Sequence, residues 1–363
     1  TGLFFDYTWR GTSENWGGTD AWTKEGNPAT WVEGNNAIFA AANSAATLAA
    51  DVSANSIAFS ADATVSGTSD LSVKSVSVDS GVSATISAPI SSAFEKTGAG
   101  VLTLTKDRTA ATIVKEGMLK MDGATVSDLT LGTDGGALVT FDYGGQELVK
   151  NTQDFLVTGS TVLLTNGVFT SVGGYDLNLR DDLLNTVFPS VLTIAKDATL
   201  RENGSMKVYI CKGGNGASTI NIAGGVLEKA SGDQVCYIQH KSVSGRVNIN
   251  VTNGGRLSFP GVLYALCRGD NTVNTPSLYM TLSDSMFITG SAFHFGSDYY
   301  NNSNIPTTPT GVFAATNSVV SVGGDGFIVG RNKRDAKTEG SYIVDFENGV
   351  ITAKTFAVYY DRP

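Results

Sequence analysis

Between residues 205 and 335 one short strand pattern recurs. It reads Tyr209-Ile210-Cys211-Lys212, Tyr237-Ile238-Gln239-His240-Lys241, Ala265-Leu266-Cys267-Arg268, Phe293-His294-Phe295-Gly296 and Phe327-Ile328-Val329-Gly330-Arg331. Stacked in register, these strands place Lys212, His240 or Lys241, Arg268 and Arg331 in a basic ladder at the strand ends. Such a ladder would hold an anionic glycan. It would equally supply the base that a β-helical polysaccharide lyase uses to take the proton beside a uronate carboxylate. A lyase must also neutralise that carboxylate, often with calcium. No compact Asp cluster accompanies the ladder, and Asp181-Asp182 stands apart and reads as a solvated loop. Edge cations with ordinary counter-charges are therefore the expected role, ahead of glycan binding and of lyase chemistry.

The second set of candidate binding residues is aromatic. All four tryptophans, Trp9, Trp16, Trp22 and Trp31, lie in the first 40 residues. Indole faces stack on sugars, and tryptophan is enriched at interface hot spots. A stacked-repeat protein also needs an atypical first unit to seal its apolar interior. A seal is the expected role, followed by a sugar platform and by an intermolecular contact.

Nucleophile and metal chemistry find little support. The chain has three cysteines and two histidines, with no C-x-x-C, no H-E-x-x-H, no G-x-S-x-G, no P-loop and no dinucleotide fingerprint. Cys211 and Cys267 read as one column two coils apart, roughly 9–10 Å at the usual strand spacing, beyond disulfide reach. Cys236 falls off that column, and buried thiols are expected. No catalytic residue, metal or cofactor is expected.

The elements that must position these residues are short strands. Ser56-Ile57-Ala58-Phe59-Ser60 and Leu71 to Val78 alternate with period two, which excludes helix. Beyond Glu95 a small residue separates successive strands, at Gly117, Gly136, Gly167, Ala198, Gly225, Gly255, Ser285, Gly326 and Gly349. A tight corner there asks for positive φ or close backbone approach. The intervals average about 29 residues, the period of a stacked coil of about three short strands. One interval, from Ser285 to Gly326, is long, and the intervening Y-Y-N-N-S-N-I-P-T-T-P-T reads as a protruding loop near 297–312. The expected organisation is a Trp/Gly-rich N-terminal cap over 1–45 and a solenoid over 46–363. The all-β class expected is a right-handed parallel β-helix.

Lys96-Thr97-Gly98-Ala99-Gly100-Val101-Leu102-Thr103-Leu104, followed by Ile113-Val114-Lys115-Glu116-Gly117-Met118-Leu119-Lys120-Met121, resembles the passenger-associated repeat of bacterial autotransporters. The Trp-Gly-rich opening followed by Gly34-Asn35-Asn36-Ala37-Ile38-Phe39 is similar to the N-terminal region of the same group. The connector Lys106 to Thr112 departs from the Tyr/Thr/Gly-rich form usual there, and later coils share only the strand–small residue–strand skeleton. The resemblance implies a right-handed parallel β-helix exported to a bacterial surface. It carries over no catalytic residue. It also implies a translocating β-barrel, which these 363 residues do not include.

Composition narrows the function classes. There are 42 Gly against 8 Pro, and charged residues make up 16%, below the roughly 25% usual in globular proteins. The net charge is −9, which disfavours nucleic acid, since phosphate binding needs clustered Lys and Arg. No run approaches the ~18 apolar residues of a membrane span. The opening Thr1-Gly2-Leu3 suggests a terminus matured by cleavage. The last strand pattern, Tyr342 to Tyr360, carries no polar cap. The expected function is a non-catalytic extracellular structural protein of the bacterial surface, assembling with itself end to end into filaments or a layer. The alternative is an adhesin that binds surface polysaccharide; a β-helical lyase ranks below both.

Overall fold

The computed structural model describes residues 3–11, 14–132, 135–150, 155–172, 177–180, 189–203, 208–210, 217–232, 235–238, 245–266, 277–296, 310–330 and 341–358. Among them every regular element is a strand, and no helix occurs. Period-two patterning decides this locally. In Val52–Phe59 the side chains of Val52, Ala54, Ile57 and Phe59 are buried, and in Leu71–Val78 those of Leu71, Val73, Val76 and Val78. In each strand two polar or small residues (Asn55-Ser56, Lys74-Ser75) break the alternation midway. The buried face therefore changes phase at matching positions of two paired strands.

The chain divides into two compact units, Thr1–Leu148 and Val149–Pro363. The Trp-rich opening belongs to the first of these. Parallel pairing dominates both units.

In the first unit two sheets are built from alternate strands. One runs through Asp6–Trp9, Asn35–Phe39, Val52–Phe59, Leu71–Val78, Phe94–Thr97, Thr112–Val114 and Leu129–Leu131. The other contains Ser44–Leu48, Ala63–Gly67, Ser83–Ile86, Val101–Leu104, Gly117–Met121 and Leu138–Asp142. Ser44 sits opposite Ala63 and Val52 opposite Leu71, in each case 19 residues on. Here the stack repeats after two strands, well short of the 29-residue average.

In the second unit three sheets share the chain, and the separation lengthens accordingly. Ala217 sits opposite Arg246, 29 residues on, and Ser277 opposite Thr310, 33 residues on. The added strand is short, as in Cys236–Ile238, Leu263–Ala265, Phe293–Phe295 and Phe327–Val329. Inward residues form apolar columns. Ile220, Ile249, Met280 and Phe313 are mutual register partners and all fully buried. Each such side chain contributes about 1.5–3 kcal/mol of burial.

The column of small residues holds from Gly167 onward with one correction there, while Gly117 and Gly136 do not belong to it: Gly117 opens a strand of the long shared sheet, where it faces Val139. Gly167 faces Ala198, and the neighbouring pairs Thr199–Val226, Val226–Arg256 and Arg256–Met286 carry it through Gly225, Gly255 and Ser285. Met286 then faces Val319, and Val319 faces Val350. Ser318, not Gly326, therefore joins Ser285 to Gly349. Gly326 precedes Phe327, which pairs with Phe293 and Phe356 in the third sheet. The long interval came from this misassignment.

The two reasons for a small residue also separate. Positive φ falls one position earlier, on Asn166, Gly224, Gly254, Asp284, Asn317 and Asn348, residue types that tolerate the left-handed region. The column residue is limited by contact instead. A Cβ on Gly225 would strike the carbonyl of Ala195, and one on Gly255 that of Ile222. Where serine replaces glycine, Ser285 and Ser318 face each other with their hydroxyl oxygens 3.3 Å apart.

Candidate functional site

The four tryptophans converge. Trp16 packs edge-on against Trp22 at 4.7 Å between ring centres and against Trp31 at 5.2 Å, while Trp9 meets Trp22 at 5.0 Å. Phe39 lies against Trp9, Trp16 and Trp22 and stacks on Phe59, which continues the cluster into the coil interior. Edge-to-face packing at these distances is favourable beyond area burial. The Trp22 indole donates to the Trp16 carbonyl at 2.7 Å. All four rings are buried, so no indole face is open to a sugar or to another molecule.

The backbone around this cluster closes both sheet edges. Trp22–Lys24 and Asn27–Ala29 form a hairpin that continues the first sheet antiparallel from Asp6–Trp9. Its outermost strand holds Pro28, which cannot extend a hydrogen-bond ladder. On the second sheet, Trp16 N–H donates to Thr47 O at 2.9 Å, and Thr47 N–H bonds the carbonyl of Glu14. What stays exposed nearby is Leu3, Phe4, Phe5 and Val32, with the Lys24 ammonium 3.5 Å from the centre of the Phe5 ring.

The last described coil is the opposite case. Ser341–Glu347, Val350–Ala353 and Phe356–Val358 each terminate one of the three sheets among the described residues. Their counterparts in the preceding coil bury the inward positions, as Phe313, Val320 and Phe327 do. Here Ile351, Phe356 and Val358, the partners of the inward Val320, Phe327 and Val329, are 40%, 50% and 58% exposed, while Ile343 and Val350 are exposed on the outer face, as their partners Val312 and Val319 are outward too. Three inward apolar side chains and, among the described residues, three unpaired strand edges meet solvent together.

The K-x-G-x-G motif has a structural explanation. Lys96 is fully buried, and its ammonium donates to the carbonyls of Gly98, Gly100 (2.8 Å) and Glu116 (2.8 Å). Gly98 and Gly117 adopt φ of 73° and 75°. A Cβ on Gly117 would collide with the Gly98 carbonyl and with Lys96 Nζ itself. Burial lowers the Lys96 pKa to about 8, and Glu116 partly opposes that shift. Arg108 is buried in a comparable way, bonding the carbonyls of Ile90 and Ser92 at 2.8 and 2.9 Å and the Thr112 hydroxyl at 2.9 Å. Both cations pin backbone carbonyls between coils.

The basic ladder of Lys212, His240, Arg268 and Arg331 lies outside the described residues, as do Lys241, Cys211, Cys267 and Asp181-Asp182. The strands leading to it are described, and their register amends the alignment. Tyr209 faces Tyr237, Tyr237 faces Tyr264, and Tyr264 faces His294. The row carries stacked rings, with Tyr237 5.8 Å from Tyr264 and Tyr264 4.4 Å from His294. Cys236 is a buried thiol whose pKa burial pushes up to about 12.

One polar cluster was not anticipated. Arg201, Glu228 and Arg256 come from three adjacent strands of the second unit, with Arg201 directly opposite Glu228 in register. Arg201 Nε donates to Glu228 Oε1 at 2.8 Å, and Arg256 Nη2 donates to Glu228 Oε2. Nothing in the local sequence signals it, because the partners are 27 and 28 residues apart.

Among the described residues no three His, Cys, Asp or Glu side chains gather as a metal site would require. No protein-family model, no curated protein and no solved structure matches this chain.

Proposed function

We propose that this chain is a non-catalytic structural protein of the bacterial cell surface, a right-handed parallel β-helix of the autotransporter-passenger kind that assembles with copies of itself. The observation that carries this reading is the open coil at 341–358. Its apolar interior faces solvent while the Trp-lined coil at the start of the first unit is closed. In this reading a second copy covers that coil, chain following residue 363 being the other possible cover. The surface it offers is the exposed group Leu3, Phe4, Phe5 and Val32, because the indoles are already packed on one another. That contact joins two different patches, so it is heterologous, and its repetition gives filaments or a layer. The buried Lys96 cage and the Gly–Asn corners support a scaffold role for the repeat, since each motif residue is accounted for by coil stacking.

Sedimentation velocity over a hundredfold concentration range tests the proposal. The wild-type chain is expected to grow into larger species as concentration rises, and the Ile351→Asp/Phe356→Asp variant to remain a monomer. A wild-type chain that stays monomeric at the highest concentration refutes self-assembly.

A further inference from the structure

We propose that Asn348 is a site of spontaneous modification, its side-chain amide converted to aspartate and isoaspartate while two other Asn–Gly corners of the fold stay intact. Three Asn–Gly pairs lie wholly within the described residues, Asn166-Gly167, Asn253-Gly254 and Asn348-Gly349. A backbone amide reaches the preceding asparagine side chain most readily when it belongs to glycine, which puts no Cβ in the path. In all three pairs the asparagine is exposed and its φ is left-handed, at 54°, 56° and 52°. The pairs therefore match in sequence and in the conformation of the asparagine, and they differ at the glycine nitrogen.

That nitrogen is the nucleophile. Gly167 N–H donates to the Asp197 carbonyl at 2.9 Å and Gly254 N–H to the Asp284 carbonyl at 2.7 Å, each acceptor lying in the following coil. Gly349 is exposed, and its N–H has no acceptor among the described residues. To attack, the amide must leave its acceptor and give up its proton. At Gly167 and Gly254 that means opening a bond between coils, and at Gly349 no such bond has to open. The Gly349 nitrogen loses its proton to solvent and bonds to Asn348 Cγ. The Cγ–Nδ2 bond breaks, and the departing nitrogen takes up a proton and leaves as ammonia. Water then opens the cyclic imide. Breaking the bond to Cγ gives aspartate, and breaking the bond to the main-chain carbonyl carbon gives isoaspartate. Either product adds a negative charge beside Glu347. Isoaspartate also carries the backbone through Cβ, just before Val350 takes up its pairing with Val319.

Peptide mapping by mass spectrometry tests this on the 363-residue chain aged in dilute, mildly alkaline buffer, with isoaspartate counted by enzymatic methylation. Dilution keeps the outcome independent of self-assembly, so failure here and failure of the assembly reading are separate results. The same chain aged in urea supplies the rate of each pair without its structure, and the ratio of the two rates is the protection that folding gives. Folding is expected to slow conversion at Asn166 and Asn253 by about tenfold or more and to leave Asn348 close to its rate in urea. Equal protection of the three pairs, or greater protection of Asn348 than of the other two, would overturn the proposal.

Discussion

Replacing Lys96 by Met removes an ammonium group and keeps the length and apolar stem of the side chain. The charged amine makes three hydrogen bonds, to Gly98, Gly100 and Glu116. Bonds from a charged donor contribute about 1.5–3 kcal/mol each, or about 5–9 kcal/mol together. Against this stands the cost of burying the charge. Moving the pKa from 10.5 to about 8 corresponds to about 3 kcal/mol at ~1.4 kcal/mol per unit. The difference leaves the cage stabilising by about 2–6 kcal/mol. In Lys96→Met the Gly100 carbonyl keeps its bond from Met118 N–H at 3.1 Å, while those of Gly98 and Glu116 lose the ammonium donor. All four tryptophans lie in the first unit, so their fluorescence follows the unfolding of that unit within the whole chain. The urea midpoint in Lys96→Met is expected to fall by about 1–3 M at an m-value near ~2 kcal/mol/M. An unchanged or higher midpoint would refute the cage, because an apolar plug would then serve equally well.

Other outcomes follow from the same geometry. Because the folded-state pKa of Lys96 lies below its unfolded value, the unfolded chain binds more protons between about pH 8 and 10.5. The charge penalty is therefore present below pH 8 and lifts as pH rises, so the wild type's midpoint advantage over Lys96→Met should widen from pH 7.5 to 9.5; a constant gap would contradict this. Gly225→Val should cost about 2 kcal/mol or more, because a Cβ there meets the Ala195 carbonyl. Ser318→Ala, in the same column, should cost under about 1 kcal/mol, and thermal unfolding of the two variants compares them. Trp16→Ala should cost about 3–5 kcal/mol, as for any large buried ring, and should quench the mutual indole packing seen in near-UV circular dichroism. Cys236 should resist a thiol reagent at pH 8 in the folded chain and react once the chain is unfolded, since burial holds the thiol up near 12.

The all-β class and parallel stacking were readable because period-two alternation and recurrent corners are local signals. Gly225 and Gly255 announced their column, but Ser318 did not. Serine can take the place of glycine where the left-handed φ falls on the preceding Asn317. Gly326, further along the chain, took its place and produced the one long interval. The change from 19-residue to roughly 30-residue stacking was hidden for a related reason. The added third strand is only three residues long in most coils, too short to show a period of its own. Lys96 could be recognised as a motif residue, yet its burial could not, since its acceptors are carbonyls with no side-chain signature. The tryptophans were legible as a cluster, and only three-dimensional packing shows that their faces are closed. Arg201, Glu228 and Arg256 were invisible for want of register, because cross-strand partners are neighbours only after the coils have stacked.

The most direct test of self-assembly through the open coil is negative-stain electron microscopy of the wild type beside Ile351→Asp/Phe356→Asp at equal, high concentration. Regular fibres or sheets in the wild type and isolated particles in the variant are the expected result. Isolated particles in both samples would contradict the assembly role, and fibres in both would contradict the assignment of the contact to residues 341–358.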